Sequence, residues 1–170
     1  VMLDIDMSDA GWAKSEEIRG AIEDFRTSGK PVYAYMETSL NKDYYIATAC
    51  DKIFVPPPGE LFTIGLAADV MFFRGSLDKL GIYPDMYQIG KYKSAGDMFT
   101  QKEMTPAHRE FINSLLDDLY GRYVEGIAKA RSKSPEDMKA LIDNAPYTAT
   151  QAKDAGLIDG ALYRDDVEKE

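Results

Sequence analysis

The sequence predicts a mixed α/β fold built on a parallel sheet, and three observations carry that prediction. The chain opens with Val1-Met2-Leu3-Asp4-Ile5-Asp6, an apolar run that reads as a buried strand. Ile18, Ala21, Ile22 and Phe25 then recur at helical spacing. Beyond Gly29-Lys30-Pro31, which stops that helix, Val32, Ala34 and Met36 alternate with Tyr33 and Tyr35 as a second strand over residues 31–36. Strand, helix and strand joined by short links make a right-handed crossover between parallel strands.

The remaining elements follow in order. Met7-Ser8-Asp9-Ala10-Gly11 is a turn-rich loop, and residues 44–50 form a short apolar helix after a polar segment at 37–43. Residues 52–55 are a third strand, closed by Pro56-Pro57-Pro58-Gly59. Phe72, Phe73, Leu77 and Leu80 predict a helix over 68–80 ending at Gly81, then a strand at 85–89 and a loop at 90–100. Thr105-Pro106 places an N-cap hydroxyl before a proline at the first helical position. Ile112, Leu115, Leu116, Leu119, Tyr123 and Ile127 continue that helix for several turns, a length of about 35–40 Å. Ser134-Pro135-Glu136-Asp137 starts another helix with a capping-box pattern. A last short helix at 148–155 is stopped by Gly156. With 170 residues and no repeat or low-complexity linker, residues 1–170 read as a single domain.

Composition narrows the function. At 45% hydrophobic residues the chain can bury a core, and a net charge of −9 argues against a nucleic-acid partner. One His and one Cys leave no internal disulfide, no cysteine-rich metal site and no cofactor to expect. The nearly apolar stretch at 61–73 is too short to span a bilayer and contains Asp69. A start inside a core strand predicts a piece of a longer protein, with any membrane anchor or second domain lying elsewhere.

Few residues offer chemistry. His108, beside Arg109 in the first turn of the long helix, reads as part of a solvated face, which leaves a Ser-His-Asp triad without its base. Cys50, among alanines, reads as a packed core thiol with no activating neighbour. The carboxylate pairs Glu16/Glu17 and Asp117/Asp118 read as solvated faces, while Asp4 and Asp6 share one face of a strand. The Gly-bounded segment Ile89-Gly90-Lys91-Tyr92-Lys93-Ser94-Ala95-Gly96-Asp97-Met98-Phe99 stands out. A lysine buried there loses the hydration of its ammonium and becomes a usable general base, and the plainer alternative is two exposed surface lysines.

At this loop the chain resembles the signal peptide peptidase A family, whose pattern is G-x-Y-K-S-A-x-x-x-F. Further matches occur in order at Val32-Tyr33-Ala34-Tyr35, at Tyr44-Tyr45-Ile46-Ala47-Thr48-Ala49-Cys50-Asp51-Lys52-Ile53 and at Leu77-Asp78-Lys79-Leu80-Gly81-Ile82. The acidic helix after Met104-Thr105-Pro106 and the stretch from Tyr147-Thr148-Ala149 to Ala155-Gly156-Leu157-Ile158-Asp159 fit as well. The resemblance implies a Clp protease/crotonase-like spiral of repeated β-β-α units with a long C-terminal helix. It also implies a membrane-associated Ser-Lys protease, with Lys93 as the general base.

The expected nucleophile is missing. The family's S-G-G-Y frame reads Asn41-Lys42-Asp43-Tyr44 here, and an amide cannot form an acyl-enzyme. Ser39 is two positions out of frame, Thr38 is a weaker candidate, and Ser94 reads as a loop hydrogen-bonding residue. The oxyanion loop, S-P-G-G in active domains, keeps only Gly11. Both departures resemble the N-terminal half of the long, duplicated form, in which one half supplies the lysine and the other the serine. The resemblance thus implies a lysine-donating domain acting on remnant signal peptides or other short apolar peptides, inactive alone. It further implies a serine-bearing partner domain, a homo-oligomer, and a place on the extracytoplasmic face of a bacterial inner membrane. The competing readings are a non-catalytic scaffold or peptide-binding module of the same fold, and a crotonase-type acyl-CoA enzyme.

Overall fold

Alternating apolar residues around position 33 become the second strand of an all-parallel sheet. The computed structural model describes residues 1–7 and 9–169. In it β1 (Met2–Asp4), β2 (Tyr33–Tyr35), β4 (Lys52–Val55) and β7 (Gly160–Ala161) lie side by side in the order β1-β2-β4-β7. Registers such as Leu3 with Ala34, Ala34 with Ile53 and Phe54 with Gly160 run parallel throughout. Val32, Ala34, Met36, Ile53, Phe54 and Val55 are buried, as strands covered on both faces require. A second, three-stranded sheet is made of β3 (Thr38–Ser39), β5 (Glu60–Leu61) and β6 (Tyr147–Thr148), with β3 parallel and β6 antiparallel to β5. The chain is thus a mixed α/β protein.

Helix α1 (Trp12–Arg26) starts from Gly11 and is buried through Ser15, Arg19 and Ile22. Of the expected apolar stripe only Ile22 is buried, because Ile18, Ala21 and Phe25 remain exposed. Arg19 takes their place. Its guanidinium donates to the Tyr45 carbonyl and to Thr48 Oγ1 (2.6 Å), and it lies 4.1 Å over the Tyr45 ring. Those partners belong to α2 (Asn41–Ala47) and its C-terminal cap, so a paired charge fixes the helix that apolar periodicity alone would have rotated. Trp12, Tyr45 and Tyr123 pack edge-to-face or tilted at 5.7–5.9 Å between ring centres.

Two compact units emerge, one of residues 1–65 with 121–170 and one of residues 66–120. The smaller holds α3 (Arg74–Lys79), α4 (Asp97–Thr100) and the first part of α5 (Pro106–Ala130). The larger holds both sheets, the rest of α5, α6 (Pro135–Asp143), α7 (Ala149–Asp154) and α8 (Arg164–Val167). Two caps match the sequence signals, with Thr105 Oγ1 accepting from His108 N–H and Ser134 from Asp137 N–H, and the structure adds a third in which Thr148 accepts from Gln151 N–H. Among the described residues no helix is long and apolar enough to cross a membrane.

Two expected elements differ. The helix predicted over 68–80 is only Arg74–Lys79, ending as expected at Gly81 with φ 68°. Residues 66–73 are irregular because the Phe73 N–H bonds the Met98 carbonyl (2.7 Å) instead of closing a helical turn. Residues 85–89 form no strand, since no other strand pairs with them among the described residues, and Met86, Tyr87 and Ile89 are exposed.

Gly59 closes the turn between the two sheets, and a Cβ there would sit 2.6 Å from both the Glu37 carbonyl oxygen and Val55 Cγ1. Gly59→Ala should cost about 1–3 kcal/mol, read as a fall of several degrees in thermal midpoint; an unchanged midpoint would show that the turn yields freely. Asp51 links α1 to β2, accepting from Val32 N–H (2.8 Å) and Arg26 Nε (2.8 Å). Partial burial pulls its carboxyl pKa up, but the Val32 N–H and the Arg26 guanidinium outweigh that and set it below the ordinary value. A lowered folded-state pKa stabilises above the ordinary carboxylate range and is lost as pH falls through the folded value. The gap in thermal midpoint between wild type and Asp51→Asn should therefore be widest above about pH 4 and shrink in acid. A gap that grows in acid would contradict this role.

Candidate functional site

The loop at 90–100 is a series of tight turns. Gly90 adopts φ 102°, and its carbonyl accepts the Lys93 N–H at 3.2 Å. Further on, the Asp97 N–H bonds Ser94 O, and the Phe99 N–H bonds Gly96 O, which leads into α4. The two lysines of the loop differ sharply. Lys91 Nζ donates to Glu110 Oε2 (3.0 Å) and to the Tyr92 hydroxyl (3.1 Å), and that hydroxyl donates to Glu110 Oε1 (3.0 Å). The Tyr92 hydroxyl, then the Glu110 carboxylate, hold the Lys91 pKa above the usual lysine range, so Lys91 stays charged. Lys93 is exposed, and among the described residues no ion pair or side-chain hydrogen bond engages its ammonium.

Asn41 is the first residue of α2. Its Oδ1 accepts from Ile64 N–H (2.8 Å) and from the Tyr123 hydroxyl (3.4 Å), which also meets Thr63 Oγ1 in a short contact. The side chain at the nucleophile position is therefore a structural link from α2 to the strand end after β5 and to α5. Ser39 is fully buried in β3, with its hydroxyl on the Leu40 carbonyl at 3.4 Å. A hydroxyl with no solvent-facing surface cannot meet a peptide. Thr38 and Ser94 are half-buried.

In the loop expected to form an oxyanion hole, Met7 has φ 36° and is 64% exposed, while Ser8 lies outside the described residues. Gly11 caps α1 with ordinary extended torsions, and its carbonyl accepts from Ser15 N–H (3.0 Å) and Ser15 Oγ (3.2 Å). That glycine is used as a helix start. Asp4 is paired with Arg164 at the surface, so the Asp4/Asp6 pair is not a free acid–base couple.

His108 corrects an expectation. It does not lie on a solvated face: it is 8% exposed, with Nδ1 3.6 Å from Asp97 Oδ2 and the Phe72 ring against it at 6.3 Å between centres. Asp97 is 4% exposed. The partner carboxylate comes from eleven residues upstream in another helix. No local spacing signal reports such a pair. Cys50 is buried as expected; desolvation, only partly offset by Arg26, pushes its thiol up to about 12, which leaves it inert.

The model of "Peptidase family S49" matches residues 24–170. The chain is 38% identical over 167 residues to "Serine protease SPPA, chloroplastic" of Arabidopsis thaliana, covering 98% of this chain and 25% of that protein. It is 33% identical over 157 residues to "Protease 4" of Salmonella typhi, covering 88% and 25%. It is 28% identical over 167 residues to a "Putative signal peptide peptidase SppA" of Enterococcus faecium, covering 98% and 48%. The chain thus spans a quarter of the longer relatives and about half of the shorter one. On the extent of the family match and these identities, the chain belongs to peptidase family S49.

Proposed function

We propose that this chain is the lysine-bearing half of an S49 serine peptidase that hydrolyses remnant signal peptides and other short apolar peptides. The observation that carries the reading is the contrast within one loop: Lys91 is held by Glu110 and Tyr92, while the Lys93 ammonium is exposed and unengaged. Asn41, at the nucleophile position, is committed to Ile64 and Tyr123, so the serine comes from a partner domain of the same or a neighbouring chain. Docking of that domain over Lys93 strips hydration from the amine and favours its neutral form. Neutral Lys93 then takes the serine hydroxyl proton as Oγ attacks the scissile carbonyl, and returns it to the leaving amine as the acyl-enzyme forms. Water hydrolyses the ester with the same lysine as base.

Coverage supports the duplicated form, because the chain fills 25% of the longer relatives but 48% of the shorter one. The longer group is thus about twice the length of the shorter, as two copies of such a domain would make it. The name of the Enterococcus relative, a signal peptide peptidase, supports signal peptides as substrate. The same reading includes a Clp protease/crotonase-like spiral, for which the two sheets joined at Gly59 are the supporting feature. It also includes a homo-oligomer, and membrane association on the extracytoplasmic face of a bacterial inner membrane through an anchor outside residues 1–170.

The test is hydrolysis of a fluorogenic apolar peptide by the full-length parent. Lys93→Ala should lower kcat by at least about a thousandfold, while Asn41→Ala should leave kcat within about twofold and cost about 1 kcal/mol of stability. Residues 1–170 alone should show no turnover. Robust activity in the Lys93→Ala parent would sink the assignment.

A further inference from the structure

A base that reacts with a serine on another domain must be held at a fixed height, because a displacement of about 1 Å can cost a hundredfold in rate. The smaller unit offers two tethers for the Lys93 loop, both ending on the start of α5. Before Lys93, Lys91 and Tyr92 bind Glu110. After it, the Asp97 carboxylate faces His108 Nδ1 at 3.6 Å. The two tethers are unequal. The Lys91 and Glu110 side chains are 62% and 58% exposed, and an ion pair in that setting contributes little beyond solvent screening. The Asp97 and His108 side chains are 5% and 9% exposed, packed with Phe72 against the imidazole.

His108 Nδ1 is buried without a hydrogen-bond partner among the described residues, and the Asp97 carboxylate is the polar group facing it. At 3.6 Å the pair is just beyond hydrogen-bond length, so a small inward movement of α4 toward α5 completes it. A buried polar atom left without a partner is unfavourable, which gives that movement a driving force. Asp97 sits four residues after Lys93, at the first position of α4, and the turns bonded at Ser94 and Gly96 join the two stiffly. Closing the pair therefore moves the lysine with it.

We propose that Asp97 and His108 are positioning residues that set the height of Lys93 through this buried tether, a role that rests on Lys93 being the base. The solvent-exposed Glu110 brace is secondary. The pair touches neither substrate nor serine. Its effect falls on the reacting geometry, so it shows in kcat and not in KM.

The experiment measures kcat, KM and thermal midpoint of the full-length parent carrying Asp97→Asn, His108→Asn, both together, Glu110→Gln, or Lys93→Ala. Asp97→Asn keeps the side-chain shape, which guards against a simple failure to fold; His108→Asn reads the same tether from its other end. Each single variant should lower kcat about tenfold or more at unchanged KM. The double variant should be no worse than the poorer single one, because the two act as a unit. Glu110→Gln should change kcat by less than about twofold. Unchanged kcat in both tether variants, with Lys93→Ala inactive, overturns the tether and leaves the lysine assignment standing. Losses that multiply in the double variant, or a rise in KM equal to the fall in kcat, also overturn it. Activity surviving in Lys93→Ala removes the lysine assignment and the tether with it.

Discussion

The larger unit depends on one buried charge. Arg19 enters the core from α1, a helix whose apolar residues would by themselves have chosen a different face. Burying a guanidinium is costly unless every donor finds a partner in good geometry. Nη1 donates to the Tyr45 carbonyl and Thr48 Oγ1, the guanidinium lies over the Tyr45 ring, and Nη2 has a looser ion contact with Glu23 at 3.6 Å. The consequence propagates. Tyr45 is fixed, its hydroxyl donates to Glu16, and its ring closes the cluster with Trp12 and Tyr123. Tyr123 then meets Thr63 and Asn41, so the start of α2 inherits its position from a cation two helices away in that chain of contacts.

The same network explains why position 41 tolerates an amide. A catalytic serine needs a free hydroxyl aimed at substrate, whereas Asn41 spends its carbonyl oxygen on Ile64 and Tyr123. Under the proposed division of labour, a nucleophile supplied elsewhere releases the position to structural use. The smaller unit carries an apolar surface. Leu80, Ile82, Tyr83, Tyr87 and Ile89 are each at least half exposed over a run of ten residues. Apolar density of that kind marks an interaction surface. In the S49 relatives the matching segment is embedded in proteins two to four times as long.

Elements with long-range periodicity or explicit start and stop signals were legible from sequence: β2 from its alternation, α5 from Thr105-Pro106, α6 from its Ser134 cap, α7 from its stop at Gly156, and α3 at its Gly81 end. The two-residue strands β3, β5, β6 and β7 were not, because a pair of residues carries no period and owes its conformation to a neighbour distant in sequence. The segment at 85–89 shows the converse. Its residues suit a strand, but a strand is a relation between two segments, and within the described residues the second is missing. Lys93 was legible as a site candidate because its signal is a contiguous motif. His108 was misread because burial there depends on Asp97, which no helical or strand spacing connects to it.

That misreading bears on the chemistry itself. A protein with one histidine and one cysteine has two ordinary routes to acyl transfer, and here both side chains are withdrawn from solvent. Cys50 is held as a thiol by burial. His108 lies with its Nδ1 turned toward a buried carboxylate instead of toward any cleft. A serine assisted by histidine would need the imidazole at the surface where substrate binds, which this packing forbids. What the loop exposes is the primary amine of Lys93, next to the Lys91 amine already held by Glu110. Under the proposed function, Lys93 is the group that moves the proton.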